Sequence, residues 1–317
     1  TLAARFRAQL VSKVVTAATG GVLTVGLARL LDPQGYGVLS LALAISSIFM
    51  FVARFGFARS AGRFVAEYKE TDQSQIPHIV RTSLLYNVGS ILVVVVVLGV
   101  SHRYIAAVLD EPDLGPFLLV GTLFVVFATL VAYLERIIQG FEAITFAAVL
   151  RTCGRLSRLV LALGFVVGGL GAIGALWGYV LSLAIASVVG FAYLYRKVRS
   201  YDDESAEAES GLGRRIARYA VPIMATNASI LMDKRIDTFL VGFFLSPVSV
   251  SYYVIGGKIV SFVLAPMSAL AFTISPTLGA QKAAGNDDRV ARIYEKTLVN
   301  SLLLYLPAGA GIMLGLF

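Results

Sequence analysis

Ile91-Leu92-Val93-Val94-Val95-Val96-Val97-Leu98-Gly99-Val100 is the stretch whose reading decides the fold. It contains no charge at all. It forms the heart of a longer apolar segment, 80–100, and roughly 20 helical residues cross a bilayer core of ~30 Å. Eight further segments of that kind can be drawn around it, giving nine in all: 11–31, 37–57, 80–100, 116–138, 148–169, 172–194, 217–245, 249–273 and 290–314. The first is too long for a removable signal peptide and has no small-residue cleavage site after it. The reading is an all-α polytopic membrane protein.

Composition agrees. The chain has 317 residues, 57% hydrophobic and 15% charged, and a mean hydropathy of +0.80. A soluble domain is about half apolar and about a quarter charged. An ordinary globular enzyme, a disordered chain and a secreted disulfide scaffold are therefore excluded. Cys153 is the single cysteine and His78 and His102 are the two histidines. No disulfide, zinc pattern or histidine-based catalytic centre can be written from them, and no cofactor or metal is implied. The net charge of +8 would suggest nucleic acid in a soluble chain. In this one it is read by position relative to a bilayer, and no nucleic acid is expected.

Basic residues are retained on the cytoplasmic side of a membrane. Most of the 27 Lys and Arg fall on alternate connections: Arg5, Arg7 and Lys13 before the first span, Arg59, Arg63 and Lys69 after the second, Arg136 and Arg151 around the fourth loop. Arg196 to Arg218 flank the sixth, and Lys282 to Lys296 the eighth. The opposite loops hold Arg103 beside Asp110, Glu111 and Asp113. A cytoplasmic N-terminus in the cytoplasmic membrane follows. Thr1 is not an initiator methionine and Phe317 ends an apolar run without a charged flank. A longer chain, cut after its ninth span, is the expectation.

The sequence repeats itself at one fixed offset, that from Pro33 to Pro247. Leu31-Asp32-Pro33 matches Leu245-Ser246-Pro247, Val38 to Phe49 runs beside Tyr252 to Val263, and Ser83-Leu84-Leu85 falls on Thr297-Leu298-Val299. Spans one to three thus resemble spans seven to nine in the same orientation. Two parallel repeats follow: an N-terminal lobe over 1–199, an acidic cytoplasmic linker over 200–213, and a partial C-terminal lobe over 214–317. The linker, with Asp202-Asp203-Glu204 and Glu207-Ala208-Glu209, reads as a solvated tether.

Charges inside the spans carry the functional signal, because each costs ~2.5–3.5 kcal/mol on insertion scales and normally faces a partner or a wet cavity. Arg151, Arg155 and Arg158 recur at i, i+4 and i+7, which places three guanidiniums on one helix face. Planar arginines bind phosphate oxygens through paired N–H donors, so such a stripe suits a diphosphate headgroup. Arg29 and Arg54 lie near the ends of the first two spans. Span seven carries Asp233-Lys234-Arg235-Ile236-Asp237. Asp233 and Asp237 share a face one turn apart, Asp237 roughly 12 Å below the outer surface. Lys258 in span eight lies at similar depth, where it can pair with either. Each of these residues also has a plainer reading, as a snorkelling anchor or a structural ion pair.

Leu27-Ala28-Arg29-Leu30-Leu31-Asp32-Pro33-Gln34-Gly35-Tyr36-Gly37, followed by Arg63-Phe64-Val65-Ala66-Glu67-Tyr68, resembles the N-terminal signature of polysaccharide-biosynthesis flippases. These are the Wzx-like members of the multidrug/oligosaccharidyl-lipid/polysaccharide (MOP) exporter superfamily. Asp237 to Phe244 with Val250-Ser251-Tyr252-Tyr253 is similar to that family's second repeat start. The resemblance implies a two-lobe helical bundle that flips a polyprenyl- or dolichyl-phosphate-linked oligosaccharide by alternating access, with no bond made or broken. It carries Arg29 and Asp237 over directly. Arg54, Arg155, Arg158, Arg235 and Lys258 join the cavity set by depth and charge, and Asp233 and Asp237 are the candidates for coupling to H+ or Na+. Such a transporter would work among membrane lipids as a monomer.

The nearest alternative is an ion-coupled multidrug exporter of the MATE type, which shares the fold. It would favour carboxylates in the first lobe, and span one has none between Leu10 and Leu31. A membrane glycosyltransferase would need a sizeable extramembrane loop, and a purely structural scaffold would have little reason to bury so many charges.

Overall fold

The computed structural model describes residues 18–201, 209–232, 236–263, 282 and 286–315. They are helical throughout apart from short connections. In chain order the helices are α1 (Ala18–Leu30), α2 (Pro33–Arg54), α3 (Phe57–Thr71), α4 (Ile76–Val108), α5 (Leu114–Gly140), α6 (Ile144–Phe165), α7 (Gly171–Arg199), α8 (Leu212–Met232), α9 (Ile236–Phe244), α10 (Pro247–Val263) and α11 (Asp287–Gly315). Among the described residues four stretches are long and apolar enough to cross a membrane: Pro33–Arg54, Gln73–Val108, Leu114–Gly140 and Ile144–Arg199. The last is a hairpin, because a π-helical segment over 166–170 ends in Gly169 at φ 87° and breaks α6 from α7.

The decisive valine run lies in α4, and its packing explains its composition. Asn87, Ile91, Val94 and Leu98 form a buried stripe at helical spacing, while Leu92, Val93, Val96, Val97 and Val100 are exposed. A helix apolar on every face, with one stripe packed against protein, has its remaining faces suited to acyl chains.

The structure reproduces the repeat at its starting point. The Asp32 carboxylate accepts from Gly35 N (3.1 Å) as the cap of α2. At the corresponding place Ser246 Oγ accepts from Ser249 N (3.4 Å) before α10. The first helical bonds also correspond, Tyr36 N to Asp32 O and Val250 N to Ser246 O. Proline suits the first helical position because its missing N–H has no helical partner there. The two starts touch: a Cβ on Gly37 would lie 1.8 Å from the Pro247 carbonyl oxygen, so only glycine permits that approach.

The segment after span two, read from sequence as a basic loop, is a helix. In α3 Ala61, Phe64, Val65 and Tyr68 are buried, an i, i+3, i+4, i+7 spacing that defines one apolar face. Arg63 and Glu67 lie exposed on the other side. This face joins Ile76, Ile79, Tyr133, Ile137 and Ile216 in one core cluster. Crossing of α3 with α5 depends on a glycine pair: a Cβ on Gly140 would lie 2.4 Å from the Gly62 carbonyl oxygen, and one on Gly62 2.6 Å from that of Arg136.

The chain divides into two compact units, Thr1–Val254 and Ile255–Phe317. The boundary of packing thus falls inside α10 and not at the linker. The reason is that α8 is bound to the first six spans, for example by Ser60 Oγ donating to Ile216 O at 3.0 Å. The second unit contains the end of α10 and α11, whose first turn carries Asp287 and Asp288, the sign that suits a helix N-terminus.

Candidate functional site

Within the first unit, α2, α5, α6 and α7 enclose a cleft of about 270 Å³. Four guanidiniums line it, those of Arg54, Arg151, Arg155 and Arg158, with Glu135 as the one carboxylate. Phe124, Ala128 and Leu183 form an apolar wall, and they belong to one packed cluster with Val180. Gly154 faces α7 across the cleft, where a Cβ would make ordinary van der Waals contact with Ala186 Cβ at 3.7 Å. Counting from Ile144 at 1.5 Å per residue, the arginines of α6 lie roughly 10, 16 and 21 Å along that helix. The cationic lining therefore extends over about two turns of α6.

Each arginine is held differently. Arg151 Nη2 pairs with Glu135 Oε2 at 3.3 Å, with the two side chains 26% and 22% exposed. These residues stand opposite each other across the hairpin that turns at 140–144, and the hairpin symmetry is the sequence signal that could have found the pair. Arg158 places its guanidinium 5.0 Å from the centre of the Tyr179 ring, a cation–π arrangement that orients it without neutralising it. Arg54, the last residue of α2, donates from Nη2 to the Ala128 carbonyl at 3.4 Å. The Nε atoms of Arg54 and Arg158 are buried and have no hydrogen-bond partner. Arg155 makes no hydrogen bond or ion pair among the described residues. A buried donor without an acceptor costs ~1–3 kcal/mol. An anionic ligand in the cleft would remove that cost.

A family model described as "Polysaccharide biosynthesis protein" matches residues 5–279. The chain belongs to the polysaccharide biosynthesis protein family. No curated protein matches its sequence. Among solved structures, this family member is similar to an inward-facing multidrug resistance MATE family transporter of the MOP superfamily, with a TM-score of 0.70 at 15% identity over 96% of this chain and 73% of that one. The outward-facing conformation of such a transporter gives 0.55 at 15% identity, over 97% and 70%. A MOP superfamily transporter from Pyrococcus furiosus, described by the reverse polarity of its binding pocket, gives 0.50 at 17% identity, over 98% and 69%. The fold is that of a MOP-type transporter, a multi-pass helical membrane protein.

Of the other residues singled out from the sequence of this polysaccharide-biosynthesis protein, Arg29 and Asp237 are not among those lining the cleft. Arg29 is exposed on α1. Asp237, in the first turn of α9, accepts from Thr238 N at 2.6 Å and from Tyr253 Oη at 2.6 Å. Lys258 is exposed on α10. Asp233 and Arg235 lie outside the described residues. What sequence reasoning missed is Tyr179, whose position in α7 looked like that of any aromatic in a span.

Proposed function

We propose that the protein translocates a lipid-(di)phosphate-linked oligosaccharide across the cytoplasmic membrane, with Arg54, Arg151, Arg155 and Arg158 receiving the phosphate oxygens. The observation that carries this reading is the convergence of four guanidiniums and one carboxylate on a single cleft, two of them with a buried, unpartnered Nε. Guanidinium forks match phosphate geometry. The apolar wall of Phe124, Ala128 and Leu183 would lie beside the first isoprene units, with the rest of the tail in lipid. The cleft opens alternately to the two sides, the N-terminus lies in the cytoplasm, and no covalent step occurs. Asp233 and Asp237 are the groups assigned to coupling with H+ or Na+, and the working unit is a monomer.

A multidrug exporter of the MATE type would share the fold. Pocket polarity is the property that separates the two, as the Pyrococcus furiosus transporter's description illustrates. The sign of this cleft favours an anionic cargo over an organic cation. The test is the double charge reversal Arg155→Glu with Arg158→Glu in cells that depend on this protein. Surface glycan is expected to disappear while membrane insertion is unchanged. Normal glycan output would retire the reading.

A further inference from the structure

A second basic groove lies apart from the cleft. It occupies about 340 Å³ between α3 and α8, lined by Arg63, Glu67, Arg215, Arg218, Tyr219 and Pro222 over the Phe64 ring. We propose that it binds the headgroup of an anionic phospholipid from the leaflet at the basic end of the molecule. This goes beyond the transport reading and rests only on the chain being a membrane protein.

Charge complementarity is the first argument. Of the three guanidiniums in the lining, Arg63 is held by Glu67 at a loose 3.9 Å and Arg215 by Glu209, which does not line the groove, at 2.7 Å. Arg218 has no hydrogen bond or ion pair among the described residues. Position is the second. The groove sits along the first half of α8 and the charged face of α3; in the orientation read from the basic residues this is the cytoplasmic end, where lipid phosphates would lie. The walls fit an amphiphile: Arg63 stacks over the Tyr219 ring at 4.4 Å, which fixes its fork, and Val221 beside Pro222 is 56% exposed, a contact for the acyl chains.

Arg215 makes the site a reporter of the linker. Its Nη1 reaches Glu209 Oε1 at 2.7 Å and Tyr68 Oη at 2.8 Å, and Tyr68 Oη also donates to Glu209 Oε2. Glu209 N donates to the buried Gln75 Oε1 at 2.9 Å. A lipid phosphate in the groove would share Arg215 with Glu209 and thereby bear on the point where the linker is tied to α3.

The experiment measures lipid retention and needs no transport. The whole protein is incubated in vesicles of phosphatidylcholine and phosphatidylglycerol, extracted gently, and its co-purifying lipid is counted by native mass spectrometry. Wild type is expected to retain phosphatidylglycerol over phosphatidylcholine. The preference should fall about fivefold for each guanidinium removed, in Arg218→Gln and then Arg63→Gln with Arg218→Gln. The single variant leaves no partner stranded, so it reports even if the double one fails to fold. Equal retention of the two lipids by wild type overturns the proposal, as does undiminished phosphatidylglycerol on Arg218→Gln. Displacement of the lipid by millimolar inorganic phosphate or diphosphate would also overturn it, by marking a soluble-anion site.

Discussion

A guanidinium at membrane depth is retained against a cost of ~2.5–3.5 kcal/mol, and Arg54 and Arg158 add to that cost by leaving Nε without an acceptor. Neither snorkels freely: one is held by the Ala128 carbonyl and the other by the Tyr179 ring. Glu135 is the residue that moderates the site, since its carboxylate occupies Arg151. Replacing Glu135 with Gln frees that guanidinium, so binding of a polyprenyl diphosphate should tighten severalfold, as read by a thermal-shift titration. Loosened binding would show that the pair orders the cleft instead of opposing its ligand. At the basic end, the hydrogen bond from Tyr68 and then the Arg215 charge hold the Glu209 carboxyl below the usual carboxylate range. A depressed pKa adds stability above the unfolded value of about 4.3, which is lost as pH falls through the folded one. Protease cutting in the linker should therefore rise as pH drops below about 4.3, and Glu209→Gln should be cut readily at neutral pH.

Helices packed across glycines respond to volume more than to chemistry. A valine at Gly140 would drive its side chain into the Gly62 carbonyl, and overpacking of that kind costs ~1–3 kcal/mol. Gly140→Val should lower the melting temperature in detergent, whereas Gly89→Val, which meets nothing within 4 Å, should leave it unchanged. Element positions were largely legible from hydropathy, because lipid demands a long apolar run and the described parts of those runs are helical. What hydropathy could not show is α3, whose short apolar face is diluted by Arg59, Arg63, Glu67 and Lys69. It also cut α4 at Val100, although the helix continues through Ser101-His102-Arg103-Tyr104 to Val108. The arginine stripe of α6 was legible from spacing alone, since periodicity fixes a face. Arg54 joined the cavity set by depth and charge, whereas the Tyr179 ring meets Arg158 only through the packing of α7 against α6, which no local pattern encodes. Most of the acidic linker, 202–208, lies outside the described residues; at its end the exposed Glu209 is tied to Arg215, Tyr68 and Gln75, partners that no local pattern encodes.

Lys and Arg fall on alternate connections of the sequence while Asp110, Glu111 and Asp113 fall on an opposite one, and that asymmetry is the basis for the proposed orientation in the membrane. In a Cys153→Ser background, a cysteine at Asp113 should react with a membrane-impermeant maleimide on intact cells. A cysteine at Ser210 should react only after lysis, and the reverse pattern would invert the topology. The repeat that links Asp32-Pro33 to Ser246-Pro247 is a device for making one fold twice, and it leaves the chemistry to whichever charges each half retains. In the first half these are arginines. The most direct measurement is flipping in proteoliposomes of a fluorescent polyprenyl-diphosphate oligosaccharide by wild type and by Arg54→Gln with Arg155→Gln and Arg158→Gln. Wild type is predicted to move the lipid and the triple variant to fall to the protein-free background while remaining folded. Translocation by the triple variant at the wild-type rate would contradict the assignment of the cargo to this cleft.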